Sequence, residues 1–320
     1  MPVLTILTDD QLSPPPNLDR LRELVEVRLS SAADLPALVR GADAVFGWDF
    51  FSGALREAWP AADRLRWLHV AAAGVDAMLF PELVDSEVVV TNATGQFDRP
   101  IAEFVAAQVL AEAKQLYPMH DLQQRKQWRH RETELIAGRR VLVVGTGGIG
   151  RAIARLLRAL DMSVTGVGRV ARETDPDFGT VLSSDRLAEH VCGVDHLVVI
   201  APLTDSTRGM IDAQVLAALP DGAQVINVGR GALIDEQALI AQLSTGRITA
   251  ALDVVQTEPL PVDSPLWELP NVHLSPHMSG DVNGWRDRLA EQFEANLRRW
   301  LAGDELHGVV DKRAGYVRHG

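Results

Sequence analysis

Three residues in the second half of the chain could together bind an anion and transfer a proton. Arg230, Glu258 and His277 each follow a short apolar run that is typical of a buried strand. A guanidinium keeps its charge and can hold a carboxylate or a developing oxyanion. An imidazole, with an ordinary pKa of about 6.5, can donate a proton near neutrality, and a neighbouring carboxylate keeps it protonated. Because parallel sheets bind ligands beyond the carboxyl ends of their strands, we expect the three side chains to meet.

The same residues could instead have a purely structural role. Arg230 could form an ion pair with Asp253, and the dipeptide Pro276-His277 could serve only to shape a loop. One histidine by itself is more often structural than catalytic. The order of the surrounding motifs, described below, decides between the two interpretations.

A glycine-rich turn reads GTGGIG, with Gly145, Gly147 and Gly150. An apolar run at 140–144 precedes the turn, and a helical pattern at 149–160 follows it. Small residues let the backbone approach a pyrophosphate, whose charge is stabilised by the N–H groups and the dipole of the following helix. Glycine-rich turns also occur without a ligand, but the order strand, turn, helix predicts dinucleotide binding.

The end of the next predicted strand indicates which dinucleotide. NAD-binding chains carry an acidic residue there, about 20 residues after the glycines, which accepts hydrogen bonds from the ribose. This chain has Gly168 at that position and Arg169 after it. The missing carboxylate removes repulsion of a 2′-phosphate, and a guanidinium can pair with that phosphate. The sequence therefore favours NADP over NAD, with an ordinary solvated arginine as the alternative for Arg169.

Short apolar runs alternate with helical patterns along the chain. The predicted strands are 3–7, 43–47, 66–70, 87–90, 140–144, 163–167, 195–200, 223–228, 248–252 and 271–274. The predicted helices are 18–25, 32–39, 100–117, 149–160, 212–219, 235–243 and 284–302. This alternation predicts an α/β protein with two doubly wound parallel sheets.

The long helices at 100–117 and 284–302 are interpreted as connectors that leave the first domain and return to it. The dinucleotide-binding domain would then span 100–280, and a discontinuous substrate domain would span 1–99 and 281–320. A ligand is expected in the cleft between two such domains.

The composition excludes several other classes of protein. The 320 residues carry a net charge of −12, so no overall basic field exists to bind nucleic acid or an anionic membrane. No apolar stretch approaches the ~18 residues of a membrane span. The single cysteine, Cys192, and an N-terminus without a basic signal region lead us to expect a cytoplasmic protein. The histidines are scattered, with His120 and His130 ten apart, so no metal site is expected.

The sequence resembles the D-isomer-specific 2-hydroxyacid dehydrogenase family. The resemblance covers nearly the whole chain and rests on five motifs in the family's order: GTGGIG, APLTDSTRGMI, NVGRGALID, LDVVQTE and SPH. It implies an NAD(P)-dependent reductase of 2-keto acids, with a Rossmann domain inserted in a flavodoxin-like domain, assembled as a homodimer. It assigns catalysis to Arg230, Glu258 and His277, and their joint occurrence in this order disfavours the structural interpretation.

The resemblance also implies which residues bind the cofactor and the substrate. With the glycine turn and Arg169, the cofactor-binding residues are Gly145, Gly147, Gly148, Ile149, Gly150, Arg169, Pro202, Thr207, Val228, Asp253 and Gly280. The substrate-binding residues are Ala73, Gly74, Arg230 and His277. In the segment HVAAAGVDAM, backbone N–H groups near Ala73 and Gly74 would bind the substrate carboxylate, although a buried apolar turn is the alternative. Trp128 is a candidate anchor of the subunit contact, or otherwise part of a surface helix end.

Comparison among the branches of the family favours glyoxylate or hydroxypyruvate reductase. Formate dehydrogenases have glutamine in place of Glu258, and phosphite dehydrogenases have lysine in the loop occupied by Ala73. Many 3-phosphoglycerate dehydrogenases carry a regulatory domain in addition to the two domains predicted here. Phe97 stands where many relatives have asparagine. A dinucleotide-sensing corepressor of the same fold, which works by binding proteins, is the alternative function.

Three aromatic residues could change the choice of substrate. Trp48, Phe50 and Phe51 follow a predicted strand of the first domain, and they could either line the substrate pocket or pack in the core. If they line the pocket, bulkier 2-keto acids become plausible substrates.

Overall fold

The computed structural model describes residues 1–9 and 12–317 and divides the chain into two compact units. The first unit comprises Met1–Phe97 and Val282–Gly320, and the second comprises Asp98–Asp281. The boundaries predicted from the sequence are 99/100 and 280/281. The first unit is discontinuous, because the second is inserted within it.

Strands and helices alternate in both units. The strands are β1 (Val3–Leu7), β2 (Glu26–Ser30), β3 (Ala44–Gly47), β4 (Trp67–Val70), β5 (Val89–Asn92), β6 (Arg140–Val144), β7 (Ser163–Gly168), β8 (Arg172–Asp175), β9 (Gly179–Ser183), β10 (His196–Val199), β11 (Gln224–Asn227), β12 (Thr249–Leu252) and β13 (Val272–Leu274). The α-helices are α1 (Leu18–Leu24), α2 (Leu35–Leu38), α3 (Ala54–Ala58), α4 (Pro81–Asp85), α5 (Asp98–Ala113), α6 (Leu116–Gln124), α7 (Gly148–Arg158), α8 (Leu187–His190), α9 (Ala213–Ala218), α10 (Glu236–Ser244) and α11 (Trp285–Ala302).

The first unit is built on a parallel sheet. Its five strands, among the described residues, have the order β2-β1-β3-β4-β5, which is the order of flavodoxin-like sheets. Every residue of β1 is buried, as expected of a strand that is covered on both faces. Helix α11 packs on this sheet: the ring of Phe293 stacks on Phe46 and Trp67, with centroid distances of 3.8 and 5.3 Å.

Strand β2 was not predicted from the sequence. Its residues EVRLS lie at the edge of the sheet, and only Ser30 among them is buried. An edge strand needs no continuous apolar run, so its pattern does not stand out from a loop. Strand β5 begins at Val89 rather than at residue 87 as predicted.

The second unit is built on a sheet with the order β13-β12-β11-β10-β6-β7-β9-β8 in the described part of the chain. With β6, β7 and β9 as its first three strands and β10, β11 and β12 as the next three, the sheet has the 3-2-1-4-5-6 order of a Rossmann domain. The central strands β10 and β11 are buried at every position. The predicted fold class, two doubly wound parallel sheets, is confirmed.

One edge of this sheet departs from the predicted pattern. A hairpin of β8 and β9 follows β7, and β9 pairs in parallel with β7 while β8 pairs antiparallel with β9. The third Rossmann strand is therefore reached through an antiparallel strand rather than through a helix. The residues of β8, RETD, are polar, which is why no strand was predicted there.

The predicted helix at 100–117 is in fact two helices. Gln115 has a left-handed φ of 51°, and this residue separates α5 from α6. A continuous apolar pattern does not reveal such a break. None of the helices in the described residues is long and apolar enough to cross a membrane.

His69 is a buried imidazole in the core of the first unit. Its Nδ1 lies 2.8 Å from the hydroxyl oxygen of Thr91, which also accepts a hydrogen bond from Trp67 Nε1 at 2.8 Å. Burial lowers the pKa of His69 to about 3. Below about pH 6.5 the unfolded chain therefore binds a proton that the folded chain does not, so folding stability falls as the pH is lowered from about 6.5 towards 3.

We expect the substitution His69→Leu to remove this component of the pH dependence. In the wild type, His69 alone should lower the free energy of unfolding by up to about 1.4 kcal/mol for each pH unit below its unfolded pKa. Urea unfolding followed by tryptophan fluorescence between about pH 7 and pH 5 measures the slope.

The matched control is Trp67→Phe, which removes a hydrogen bond to the same threonine but no titratable group. This variant should lower the free energy of unfolding by a similar amount at every pH, so its pH slope should match that of the wild type. If His69→Leu kept the wild-type slope, another group would have to cause the acid sensitivity.

Candidate active site

The glycine-rich turn joins β6 to α7. Gly145 has a φ of 122°, and a Cβ on it would lie 2.7 Å from the carbonyl of Ile200, so a side chain cannot be accommodated there. A Cβ on Gly150 would lie 2.0 Å from the carbonyl oxygen of Gly145, so the helix packs on the turn through backbone alone. Gly147 has no heavy atom within 4 Å of its Cβ position. The turn thus offers open backbone at the N-terminus of α7, which is the arrangement that binds a pyrophosphate.

An acidic side chain lies beside the same turn. A Cβ on Gly148 would be 2.7 Å from Oδ2 of Asp98, the first residue of α5. Ile149 is half-buried in the first turn of α7. Sequence reasoning missed Asp98, because the glycine pattern contains no signal for a residue fifty positions away.

The end of β7 lies next to the glycine turn. A Cβ on Gly168 would lie 3.1 Å from Oγ1 of Thr146, the second residue of the turn. The residue after Gly168 is Arg169, which is exposed. At the position where an NAD-binding chain has a carboxylate, this chain has no side chain, and a guanidinium follows.

Two further predicted cofactor-binding segments begin at the carboxyl ends of β10 and β11. After β10, the hydroxyl of Thr207 donates to the carbonyl of Pro202 at 2.7 Å and accepts from the N–H of Thr204 at 2.8 Å, which closes that loop. After β11, the N–H of Val228 donates to the carbonyl of Val199 at 3.1 Å. Both segments therefore start at the edge of the sheet where β6 ends.

The loop that carries Arg230 is held by a buried asparagine and by a close backbone contact. The side chain of Asn227 donates to the carbonyl of Arg230 at 3.0 Å and accepts from the N–H of Gly229 at 3.1 Å. A Cβ on Gly231 would lie 1.9 Å from the carbonyl oxygen of Val255. This backbone contact places the arginine loop directly against the loop that leads to Glu258.

Asp253 organises the turn that carries His277. The carboxylate, almost fully buried, accepts hydrogen bonds from the hydroxyl of Ser275 and from the N–H groups of Met278 and Ser279, at 2.5 to 3.1 Å. The carbonyl of Asp253 accepts from the N–H of His277 at 2.8 Å. The structure therefore places this predicted cofactor-binding carboxylate inside the 275–279 turn, just before the buried Gly280.

Glu258 and His277 are joined by a hydrogen bond. Nδ1 of His277 lies 2.7 Å from Oε2 of Glu258, and Oε1 of Glu258 accepts from the N–H of Val255 at 3.1 Å. His277 has a left-handed φ of 53°, which is costly for a residue with a side chain. Such strain is commonly found at functional sites, and here the hydrogen bonds of the turn hold it in place.

Arg230 contributes to the electrostatics of this pair. Burial raises the pKa of the Glu258 carboxyl, but the hydrogen bond and charge of His277, the Val255 N–H and the positive charge of Arg230 together outweigh it. The pKa of Glu258 therefore lies below its usual value, and the carboxylate is ionised at neutral pH. A guanidinium, a carboxylate and an imidazole thus act on one another within the second unit.

The predicted substrate loop belongs to the first unit. Ala73 and Gly74 are half-buried and follow β4, and the side chain of Asn92 donates to the carbonyl of Ala73 at 2.5 Å. Phe97 is buried, with its ring centroid 6.1 Å from that of Trp285. The asparagine expected at that position in many relatives is therefore replaced by a packed aromatic ring.

The three aromatic residues after β3 have different environments. Trp48 is 2% exposed and its Nε1 donates to the carbonyl of Ser13 at 2.8 Å, so it packs in the core of the first unit. Phe50 is half-buried and Phe51 is 62% exposed. The interpretation of Trp48 as part of a pocket wall is wrong, because the indole is enclosed. Trp128 is fully exposed.

Sequence reasoning also missed the polar residues that shape the site loops. Asn92, Asn227 and Ser275 each stand at or just after the end of a strand, and each binds the backbone or the carboxylate of a neighbouring loop. A buried polar residue at the end of an apolar run was the available signal, since such a residue must find a partner.

Comparison with known proteins gives a consistent result. The family model described as "D-isomer specific 2-hydroxyacid dehydrogenase, NAD binding domain" matches residues 106–279. The glyoxylate reductase of Korarchaeum cryptofilum (strain OPF8) is 30% identical over 271 residues, which cover 82% of this chain and 81% of that protein.

Two solved structures resemble the whole chain. A D-isomer specific 2-hydroxyacid dehydrogenase from Xanthobacter autotrophicus Py2, in complex with NADPH and MES, has a TM-score of 0.82 and 30% identity, covering 98% of this chain and 99% of that one. The NADPH-dependent glyoxylate/hydroxypyruvate reductase SMc02828 from Sinorhizobium meliloti, in complex with NADP and sulfate, has a TM-score of 0.81 and 28% identity, with the same coverage.

The glycine turn allows a test of which glycines the fold itself requires. Gly150→Ala should lower the free energy of unfolding by about 2–4 kcal/mol, because its Cβ would overlap the carbonyl of Gly145. Gly147→Ala is the matched control and should change stability by less than about 1 kcal/mol, because its Cβ would meet open space. Urea unfolding of the two variants measures the difference, and equal losses would contradict the packing described for the turn.

Proposed function

We propose, since the chain belongs to the D-isomer-specific 2-hydroxyacid dehydrogenase family, that it reduces a small 2-keto acid to the D-2-hydroxy acid with a nicotinamide dinucleotide. The observation that carries this proposal is the hydrogen bond between Glu258 and His277 beside the charge of Arg230. These groups and the glycine turn belong to the same compact unit. The remaining features of the site support individual steps.

The glycine turn fits a dinucleotide. The space beside Gly147 is open. Gly145 and Gly150 pack so closely against neighbouring backbone that neither position has room for a side chain. In our proposal the pyrophosphate is held by the backbone at Gly147, Gly148 and Ile149, with the dipole of α7 stabilising its charge. When bound, the reduced nicotinamide supplies the hydride. Segments around Pro202, Thr207, Val228 and Gly280 complete the cofactor site in this proposal.

Arg230 and His277 handle the charge that develops on the substrate. The guanidinium of Arg230 binds the substrate carboxylate and stabilises the oxyanion formed when the keto carbon is reduced. His277 donates the proton that converts this oxyanion to a hydroxyl. Glu258 accepts a hydrogen bond from the Nδ1 side of the imidazole and thereby orients the ring, leaving Nε2 to act on the substrate.

Asp253 has two proposed roles in the same site. The resemblance assigns its carboxylate to the nicotinamide amide, and the hydrogen bonds described above support a second role in holding the 275–279 turn. Because the carbonyl of Asp253 also accepts from the N–H of His277, this residue sets the position of the imidazole.

For the substrate, we favour glyoxylate or hydroxypyruvate. The support is that proteins named for these activities resemble this chain over most of its length. Backbone N–H groups near Ala73 and Gly74 are proposed to bind the substrate carboxylate. The homodimer and the cytoplasmic location stay predictions from the sequence, and the exposed indole of Trp128 offers a surface for the dimer contact.

We expect Glu258→Gln to lower the kcat of the reductase most strongly at neutral pH. Although burial raises the pKa of the Glu258 carboxyl, the hydrogen bond and charge of His277 outweigh it, so the wild type keeps the carboxylate at neutral pH and loses it only as the pH falls through the lowered pKa. An amide carries no charge, so kcat should fall by about tenfold at neutral pH, and the difference from the wild type should shrink as the pH is lowered. Initial rates of NADPH oxidation with glyoxylate and with hydroxypyruvate, measured as a pH series, give the profile. His277→Asn should lower kcat by about 10²- to 10⁴-fold.

The control for Glu258→Gln is Glu268→Gln, an exposed carboxylate in the same region of the sequence. It should keep the wild-type profile. A Glu258→Gln variant with the wild-type kcat at neutral pH would contradict the proposed pairing. Cofactor binding with no turnover of any 2-keto acid by the wild type would instead favour the dinucleotide-sensing function.

We further propose that NADP is preferred over NAD, and Arg169 allows a test. Arg169→Ala should raise the KM for NADPH by about tenfold, because a charge-assisted contact to the 2′-phosphate is lost, and should leave the KM for NADH within about threefold. Arg158→Ala, which removes an exposed arginine of α7, serves as the control. An equal rise of KM for both cofactors would contradict the assignment.

A further inference from the structure

Five charged side chains surround the hairpin that follows Gly168 and Arg169. They are Arg151 and Arg155 on α7, Arg172 and Asp175 on β8, and Asp177 in the hairpin turn. Ion pairs link them within 3.2 Å. The proposed function uses none of these residues, although α7 begins at the glycine turn and β8 begins three residues after Arg169.

Asp175 is at the centre of this cluster. Its carboxylate, 2% exposed, accepts from both terminal nitrogens of Arg151 at 3.0 Å and from Nε of Arg172 at 3.1 Å. It also accepts from the N–H groups of Asp177 and Phe178 at 3.0 and 3.2 Å. A buried carboxylate with this many donors is held in a single position, and it holds its donors in turn.

The cluster connects the helix of the glycine turn with the end of β7. Arg151 lies in the first turn of α7, with its guanidinium carbon 5.7 Å from the ring centroid of Phe178. That ring packs on β7, where a Cβ on Gly166 would lie 2.9 Å from it. Asp175 therefore bridges α7 and β8 beside a packed aromatic ring.

The register of the hairpin brings Arg172 towards the end of β7. Arg172 is opposite Val181 of β9, and Val181 is opposite Gly166 of β7. A Cγ of Val181 is also 3.5 Å from the Cβ position of Gly168. Adjacent strands are about 4.8 Å apart, so the backbone of Arg172 is about 10 Å from β7, and its guanidinium lies at the Asp175 carboxylate.

We propose that Asp175 is a positioning residue for cofactor selection, holding Arg172 as a second guanidinium, with Arg169, for the 2′-phosphate of NADP. This inference rests on the proposed NADP preference and deepens it. Asp175 removes the freedom of Arg172 that would otherwise have to be lost when the phosphate binds.

Asp175→Asn tests the proposal through ligands that need no catalysis. Binding of 2′,5′-ADP and of 5′-AMP, which differ only in the 2′-phosphate, is measured by isothermal titration calorimetry. The variant should bind 2′,5′-ADP at least about tenfold more weakly and 5′-AMP less than about threefold more weakly. Asp177→Asn is the matched control, because Asp177 pairs with Arg151 and Arg155 but has no ion pair with Arg172. It should leave both constants within about threefold.

An equal loss of affinity for both ligands in Asp175→Asn would overturn the proposal, because it would show a purely structural role. No loss for either ligand would overturn it as well. If Asp175→Asn fails to fold, by circular dichroism, Arg172→Met decides instead, because it keeps the pair of Asp175 with Arg151. That variant should show the same selective loss of 2′,5′-ADP, and its absence would refute the positioning of Arg172.

Measurements on the wild-type protein test the proposed function separately. If the wild type binds 2′,5′-ADP no more tightly than 5′-AMP, both the NADP preference and this inference are overturned. The reductase activity is judged by turnover of 2-keto acids, which none of these binding measurements requires.

Discussion

Three parallel strands, β11, β12 and β13, lie side by side and end at one edge of the sheet, and this constraint positions the three predicted catalytic residues. A loop follows each strand at that edge, and the loops carry Arg230, Glu258 and His277. Two contacts hold these loops in place. The backbone of Gly231 packs on the carbonyl of Val255, and the carboxylate of Asp253 binds the turn around His277. His277 has a backbone conformation that is unfavourable for a residue with a side chain, and these contacts with neighbouring loops stabilise it.

The carboxylates of the second unit fall into two groups with different chemistry. Asp253 and Asp175 are buried and accept hydrogen bonds from several donors, so each one holds the backbone around it in place. For Asp175, burial raises the pKa, but the guanidinium of Arg151 and two backbone N–H groups lower it to about 2. Glu258 is about one-third exposed and has His277 as its charged partner. Asp253 and Asp175 thus hold backbone, whereas Glu258 contacts a side chain of the proposed catalytic set.

The sequence predicted most strands of both sheets, because parallel strands covered on both faces are continuous apolar runs. It did not predict β2 or the hairpin of β8 and β9, because the residues of β2 and β8 are largely polar and form no continuous apolar run. The break at Gln115 was missed for another reason: it depends on a single backbone angle. At the site, the residue types predicted which groups could react. The supporting contacts of Asn227 and Ser275, and the position of Asp98 beside the glycine turn, depend on three-dimensional packing that no spacing along the chain encodes.

The discontinuity of the first unit has a consequence for the order of events during synthesis. Its sheet is complete once β5 has been made, but the ring of Phe293 that stacks on Phe46 belongs to α11, which the ribosome adds only after the entire second unit. The N–H of Val310, which pairs with the carbonyl of Val90 at the open edge of β5, is added later still. The nascent chain therefore carries an uncovered aromatic face and an unpaired strand edge throughout that interval, the period in which intermolecular association competes most strongly with folding.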